Sequence, residues 1–424
     1  MAEKVETPEP KTPRLTRRRL LAGAASGVGA LVLKASAAPL SGEKASEDRP
    51  VVTHDTTKMQ GTPPSELGER SRFEKPRRRV TKPEPSASST TPLEDLEGII
   101  TPADLHFERH HGGVPEIDPE RWRLLIHGMV DRPTVFSLDD LKRFPRRSRI
   151  CFIECSGNGS RGYKEMNPET SPQVMDGLTS TSDWIGVPLA LVFREVGVKP
   201  EAQWFLAESQ DAAMMTRSIP IAKAWDDAMI VYGQNGEALR PEQGYPARLL
   251  LPGWEGNSQV KWLRRLELSD RPFMTREETS KYTDPLADCT ARLFSFELDA
   301  KSLITFPAYP KVLPQKGWWE ITGIAWTGRG KITRVEISTD GGRVWQDATL
   351  EEPVLPKCHT RFRYFWNWTG RESVLMSRAT DETGYVQPTT EAIRKARGVG
   401  THYHFNNIRA WRVKRGGTVV LEVV

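Results

Sequence analysis

The chain has 424 residues, 38% of them hydrophobic, and a formal net charge of +5. That is length enough for two or three domains with a sizeable core. Most of the Arg and Lys clusters fall in roughly the first 80 residues, which argues against a nucleic-acid-binding composition. Four cysteines (Cys151, Cys155, Cys289 and Cys358) are too few for a disulfide framework, and no Cys-x-x-Cys-His for covalent haem occurs. No phosphate-binding loop is present, so nucleotide chemistry is not expected.

Taken in order, the chain opens with Thr16-Arg17-Arg18-Arg19-Leu20-Leu21, an apolar stretch to Leu33, and the small residues Ala35-Ser36-Ala37. A charged region, a hydrophobic region and an A-x-A-like cleavage site describe a twin-arginine signal peptide over residues 1–37. The alternative is a short membrane anchor, but the apolar span is brief and weakly hydrophobic for crossing a bilayer. The expected destination is therefore the periplasm, reached by a folded protein, with no stable membrane anchor. Residues 38–97 are rich in Pro, Ser, Thr and charge, with Arg77-Arg78-Arg79 in the middle, and lack apolar periodicity. They read as a linker or an arm, the basic run being a solvated feature.

A first folded domain is expected over residues 98–295. Trp122–Gly128 alternates as a strand does before a Val130-Asp131-Arg132-Pro133 turn, and Ser137 caps a short helix through Leu141. The apolar run Ile150–Ile153 predicts a buried strand that stops at Glu154-Cys155-Ser156-Gly157-Asn158-Gly159, where the glycines and Asn158 permit positive φ. Cys155 then sits on a sharp elbow. It is either one more buried cysteine or a soft thiolate offered to a metal. Thr181-Ser182-Asp183-Trp184 opens a helical pattern through Val196, and further strands are expected at 202–207, 229–232 and 248–251. His110-His111 has no second Cys/His cluster at a zinc-ligand spacing. Mixed strands and helices describe an α/β-type domain.

Residues 296–424 have another texture. Short alternating runs at 318–325, 332–338, 344–349, 361–368 and 374–380, separated by turn residues such as Asp340-Gly341-Gly342, predict an immunoglobulin-like β-sandwich. The two halves together make the expected fold class α+β.

The Cys155 elbow, Gly177-x-x-Ser180-Thr181, Gln243-Gly244-Tyr245-Pro246-Ala247-Arg248, Leu251-Pro252-Gly253 and Val260-Lys261-Trp262 occur in an order and spacing that resembles the sulfite oxidase family of molybdenum enzymes. The likeness covers about residues 100 to 420, and the export signal with the Glu-Cys-Ser-Gly-Asn-Gly variant looks most like the bacterial branch that oxidises sulfane sulfur. The resemblance implies molybdenum bound by molybdopterin, with Cys155 as the protein's metal ligand. It implies that Phe107, Arg109, His110 and His111 contact the cofactor and the substrate anion. Asp211, Gln243, Arg248, Gln259, Val260 and Lys261 fall where the family holds the pterin, with Gln243 replacing the usual histidine. Tyr282 matches the active-site tyrosine, and Arg397 matches the late arginine that reaches the substrate. Ser160 stands where the family has a second arginine, and Val174 where it has a tryptophan, which suits a roomier, less cationic pocket.

The resemblance further implies oxidation of carrier-bound sulfane sulfur with oxygen from water, and a c-type cytochrome subunit as acceptor. It also implies a homodimer within a hetero-oligomer. A dehydrogenase acting on free sulfite, or an exported partner-binding scaffold without catalysis, are the alternatives.

Overall fold

The computed structural model describes residues 59, 61–81, 84–164, 167–286, 288–398 and 401–422. The expected signal peptide and residues 38–58 lie outside them. The later part of the expected linker is built into the fold. Strands β1 (Arg79–Val80) and β2 (Ser88–Thr90) pair antiparallel, and β2 pairs in turn with β3 (Glu108–Arg109). Ser89 and Thr91 are fully buried, Leu93 joins the core, and Thr91 Oγ1 lies 2.6 Å from Ser180 Oγ. A polar segment without periodicity can still satisfy its backbone on neighbouring strands, so the ordered chain starts before residue 98.

β4 (Leu124–Gly128) and β5 (Thr134–Phe136) lead to the helix Leu138–Lys142, closed by a reciprocal capping box between Ser137 and Asp140. β6 (Arg147–Glu154) runs from exposed arginines to a buried end and pairs antiparallel along its whole length with β7 (Thr179–Pro188). Thr181–Trp184 therefore lie in a strand. Their cap-like Thr-Ser-Asp reading is overridden by pairing, because β7 sits between two neighbouring strands. The helix begins only at Leu189 and ends at Val196 before Gly197, whose φ is +68°.

β8 (Trp204–Ser209), β9 (Thr216–Pro220), β10 (Met229–Gln234), β11 (Glu237–Ala238), β12 (Arg248–Leu250) and β13 (Leu263–Ser269) complete two five-stranded sheets. One has the order β11-β10-β7-β6 with β12 on β10; the other is β5-β4-β13-β8-β9, in which β4 and β13 are parallel. Both sheets and the helix Leu189–Val196 contribute to one apolar core, which includes Ile126, Val187, Phe193, Phe205, Ile230 and Leu266.

A π-helical turn, Glu277–Lys281, and the short pair β14 (Asp284–Pro285) and β15 (Ala291–Arg292) lead into the second half. There β16 (Lys301–Phe306), β17 (Gly317–Trp326), β18 (Ile332–Ser338), β19 (Gln346–Asp347), β20 (Thr349–Leu350), β21 (Thr360–Trp368), β22 (Ser373–Asp381), β23 (Ala410–Val413) and β24 (Val419–Glu422) form two antiparallel sheets. Their orders are β16-β17-β21-β20 and β19-β18-β22-β23-β24, and they close on a shared core that contains Trp326, Ile337, Phe362 and Trp411. Four of the five alternating runs read from the sequence fall on β17, β18, β21 and β22, and the run at 344–349 is divided between β19 and the start of β20. Among the described residues no helix is long and apolar enough to cross a membrane.

The elbow after β6 departs from expectation in one respect. Gly159 alone has a positive φ there, +88°, and a Cβ on it would stand 2.6 Å from Asp176 Oδ1. Gly157, Gly159 and Gly162 also have the spacing of a dinucleotide-binding loop. Their context is not that of one: β6 enters an antiparallel pair, and only a four-residue helix, Arg161–Lys164, comes after the turn.

Candidate active site

The turn that carries Cys155 is fixed from both sides. Cys155 N donates to Leu178 O at 3.0 Å, and Cys155 O accepts from Asn158 N at 2.8 Å. Asn158 adds two contacts through its side-chain amide: Nδ2 donates to Glu154 Oε1 at 2.8 Å, and Oδ1 accepts from Leu178 N at 3.0 Å. Behind the turn lies a buried charge cluster that sequence reading missed. Lys301 Nζ is 3.2 Å from Glu154 Oε1 and 2.6 Å from Asp176 Oδ1, and Arg409 Nε is 3.2 Å from Asp176 Oδ2. Trp326 Nε1 donates to Glu154 Oε2 at 2.6 Å, and Arg409 Nη2 donates to Gly159 O at 3.0 Å. Burial would raise the Asp176 carboxyl, but Arg409 and Lys301 outweigh it and hold it below the usual range. Two cations from the sandwich thus neutralise two carboxylates of the first domain directly beneath the cysteine.

Above the turn is a cleft of about 680 Å³. Cys155, Phe107, Arg109, His110, His111 and Asp211 line it. Gln243, Arg248, Gln259, Val260, Lys261 and Tyr282 line it too, so every expected site residue except one is gathered there. The exception is Arg397. Its Nη2 is 3.4 Å from Asp299 Oδ2 and its Nη1 donates to His404 O at 3.3 Å, and it lines neither the cleft nor its mouth. Arg397 is thus the one expected site residue that the structure does not bring to the cleft. Ser160, Arg161 and Val174 also line neither space.

One end of the cleft is cationic and desolvated. Arg248 Nη1 and Nη2 donate to Gln243 O and Gln259 O, each at 3.0 Å, leaving Nε buried without a partner. Lys261 Nζ donates to Glu242 O at 2.8 Å. Burial pulls Arg248 down to about 9, and burial with the neighbouring Arg248 pulls Lys261 down to about 7. Gln243 Nε2 donates to Phe107 O at 2.8 Å, while Gln259 spans Leu251 N and Trp254 O. Asp211 is held by Ser209 Oγ at 2.6 Å. His106, which the sequence did not single out, is fully buried here with Nε2 unpartnered, and burial lowers it to about 3.

At the other end Arg109, His111 and Tyr282 form a chain. Arg109 Nη2 lies 3.3 Å from His111 Nδ1, and His111 Nε2 lies 3.1 Å from Tyr282 Oη. Arginine only donates, so Nδ1 accepts. Burial and the Arg109 charge lower His111 to about 4, leaving one ring proton, which must then be on Nε2 and be given to Tyr282 Oη. The phenolic hydrogen is thereby free to point into the cleft. Cys155 itself is half-buried, and burial raises its thiol above the ordinary value, with Gly157 and Arg109 acting the other way. A cation bound to the sulfur would reverse that and favour the thiolate. Cys151 is sealed in the core, pushed up to about 12 by burial, as its strand position suggested. Cys289 is exposed and Cys358 buried, and neither forms a disulfide.

A group with an anionic tail and a metal that accepts one thiolate fits these residues. Arg248 is desolvated with its Nε unpartnered, Glu108, Asp211 and Glu242 only partly offset the burial of Lys261, and among the described residues no three His, Cys, Asp or Glu side chains gather to hold a bare ion. The metal must therefore arrive with ligands of its own.

Comparison with known proteins agrees. Residues 111–277 match the oxidoreductase molybdopterin binding domain and residues 292–410 the Mo-co oxidoreductase dimerisation domain. An NADH nitrate reductase of Phaseolus vulgaris is 32% identical over 314 residues, 66% of this chain and 35% of that protein. One of Solanum lycopersicum is 31% identical over 352 residues, 71% of this chain and 38% of that protein. The chain spans little more than a third of the length of these reductases. The crystal structure of the sulfane dehydrogenase SoxCD from Paracoccus pantotrophus is similar with a TM-score of 0.84 and 43% identity, covering 89% of this chain and 98% of that one. The cofactor is molybdenum held by molybdopterin. A cysteine elbow, a cationic cleft and a near full-length match over both halves place the chain in the sulfite oxidase family of molybdopterin oxidoreductases.

Proposed function

We propose that this oxidoreductase works in the periplasm on sulfane sulfur held by a carrier protein, taking oxygen from water and passing electrons to a c-type cytochrome subunit. The observation that carries the proposal is the half-buried Cys155 thiol sharing one cleft with Arg248, Lys261 and the Arg109–His111–Tyr282 chain. When bound, the molybdenum cofactor supplies oxygen-atom transfer to a sulfur lone pair and takes up two electrons. Cys155 furnishes the protein's ligand, while Arg248 and Lys261 give charge-assisted hydrogen bonds to the phosphate end of the pterin. Arg109 faces the substrate, and the free hydrogen of Tyr282 Oη orients its oxygen. Arg276 and Lys281 line the outer mouth and draw an anionic end inward.

Sulfane is preferred over sulfite because the mouth, about 730 Å³, admits more than a small anion. The cationic rim itself favours the second reading, free sulfite. Metal and pterin analysis of the purified protein, followed by steady-state turnover of carrier-bound sulfane against sulfite, tests both. One molybdenum and one pterin per chain with faster sulfane turnover is the expected result. A stoichiometric zinc content without pterin would remove the catalytic reading, and faster sulfite turnover would transfer it to the second substrate.

We take the sandwich, immunoglobulin-like in strand spacing, as the surface of a homodimer that also binds the cytochrome subunit. The exposed Trp318 and Phe365 on the neighbouring strands β17 and β21 support this. Light scattering at micromolar concentration is expected to give twice the chain mass; a lone monomer would contradict the dimer.

A further inference from the structure

Arg217, on β9, lines neither the cleft nor its mouth, yet its wholly buried guanidinium touches Glu278, Glu255, Asn257 and the Tyr282 ring. Its Nε donates to Glu278 Oε1 at 2.8 Å, and Glu278, inside the π-helical turn, is itself fully buried and also accepts from Ser218 N at 2.9 Å. Its Nη1 and Nη2 each reach Glu255 Oε1 at 3.4 Å, and Nη1 donates to Asn257 Oδ1. Asn257 Nδ2 in turn donates to Ser156 Oγ at 2.9 Å, next to Cys155. The loop between them is pressed on the elbow, for a Cβ on Gly256 would stand 2.8 Å from Glu154 O. The Arg217 guanidinium carbon also lies 5.1 Å from the centre of the Tyr282 ring, within cation–π range.

We propose that Arg217 is a positioning residue of this site, the side chain that ties the Tyr282 ring to the Cys155 elbow. A planar fork is required for the task. One edge serves Glu278, the other serves Glu255 and Asn257, and the face serves the ring, whereas an ammonium has one point of charge and no face. The π-helical turn ends at Lys281, immediately before Tyr282, so whatever anchors Glu278 limits where the phenol can go. This inference rests on the reading of Tyr282 as an active-site group.

The test is the Arg217→Lys variant of the full, cofactor-loaded chain, which keeps a buried cation for Glu278 but loses the fork. Turnover is expected to fall about 10- to 100-fold with KM within about twofold of the parent, the range for an outer-shell partner acting on the transition state. In a Tyr282→Phe background the same change is expected to have almost no further effect, because the hydroxyl it positions is gone. An equal loss in both backgrounds, or no loss in either, would overturn the proposal. A readout independent of turnover is the 19F resonance of 3-fluorotyrosine placed at position 282, expected to be single in the parent and broadened or split in Arg217→Lys. An unchanged resonance would also overturn it. Should Arg217→Lys not fold, Glu278→Gln keeps an acceptor oxygen and is expected to broaden the same signal, with an unchanged signal again decisive. If the parent turns over no sulfur compound, the functional reading fails while the resonance still decides the positioning.

Discussion

Replacing Cys155 by serine is expected to cut turnover by at least about 100-fold, the upper end of what loss of an outer-shell partner costs a metal site. The fold should survive. The turn is held by the backbone N and O of residue 155, through Leu178 O and Asn158 N, and by the Asn158 amide. Serine keeps that backbone and nearly the same volume, and it removes a soft ligand without leaving a large cavity. The check is turnover and molybdenum content together with a chemical unfolding curve. Activity kept within tenfold of the parent would mean that the sulfur is not a ligand, whatever the cleft looks like.

The second large effect is on stability. Lys301→Met leaves buried Glu154 without its cation and Asp176 with Arg409 alone, and breaking a buried pair from one side costs about 3–5 kcal/mol. Denaturant unfolding of the full chain measures it; a loss below about 1 kcal/mol, ordinary for a surface change, would rule out the cluster as a support for the elbow. Adding Glu154→Gln should recover part of the loss, since it removes one stranded charge. The pH dependence has a fixed sign. Because Asp176 titrates below its unfolded value of about 3.9, its contribution is fully present above that pH and is lost as the pH falls through the folded value. In Lys301→Met the depression is smaller, so the acid limb of the stability curve should move to higher pH.

How much of the fold and site was legible in the sequence depends on the range over which each signal acts. Ile150–Ile153 and the turn residues behind it are local, and they located β6 and Cys155 without help. Period-two alternation located β17, β18, β21 and β22. The cleft residues, scattered from Phe107 to Tyr282, were reached through the family resemblance and stand together in space. The residues that brace the elbow were invisible because Lys301, Trp326 and Arg409 come from the other half of the chain, far in sequence from their carboxylate partners Glu154 and Asp176. Nothing in Arg217 alone marks it off from an ordinary strand arginine until Glu278, Asn257 and Tyr282 are seen around it. Thr181–Trp184 misled for the opposite reason: a helix-start signature was outweighed by strands on both sides. Arg397 had the expected spacing, and it pairs with Asp299 outside the cleft.

The three-stranded sheet near the amino-terminal end has a practical bearing on how the protein can be handled. β3 presents Arg109 to the cleft, and its only sheet neighbour among the described strands is β2, which comes from the segment that looked like a tether. Trimming the polypeptide to the boundaries of its recognisable domains would strip that neighbour and leave a raw strand edge beside the catalytic wall. Any shortened version meant to retain its metal should therefore begin upstream of Arg79.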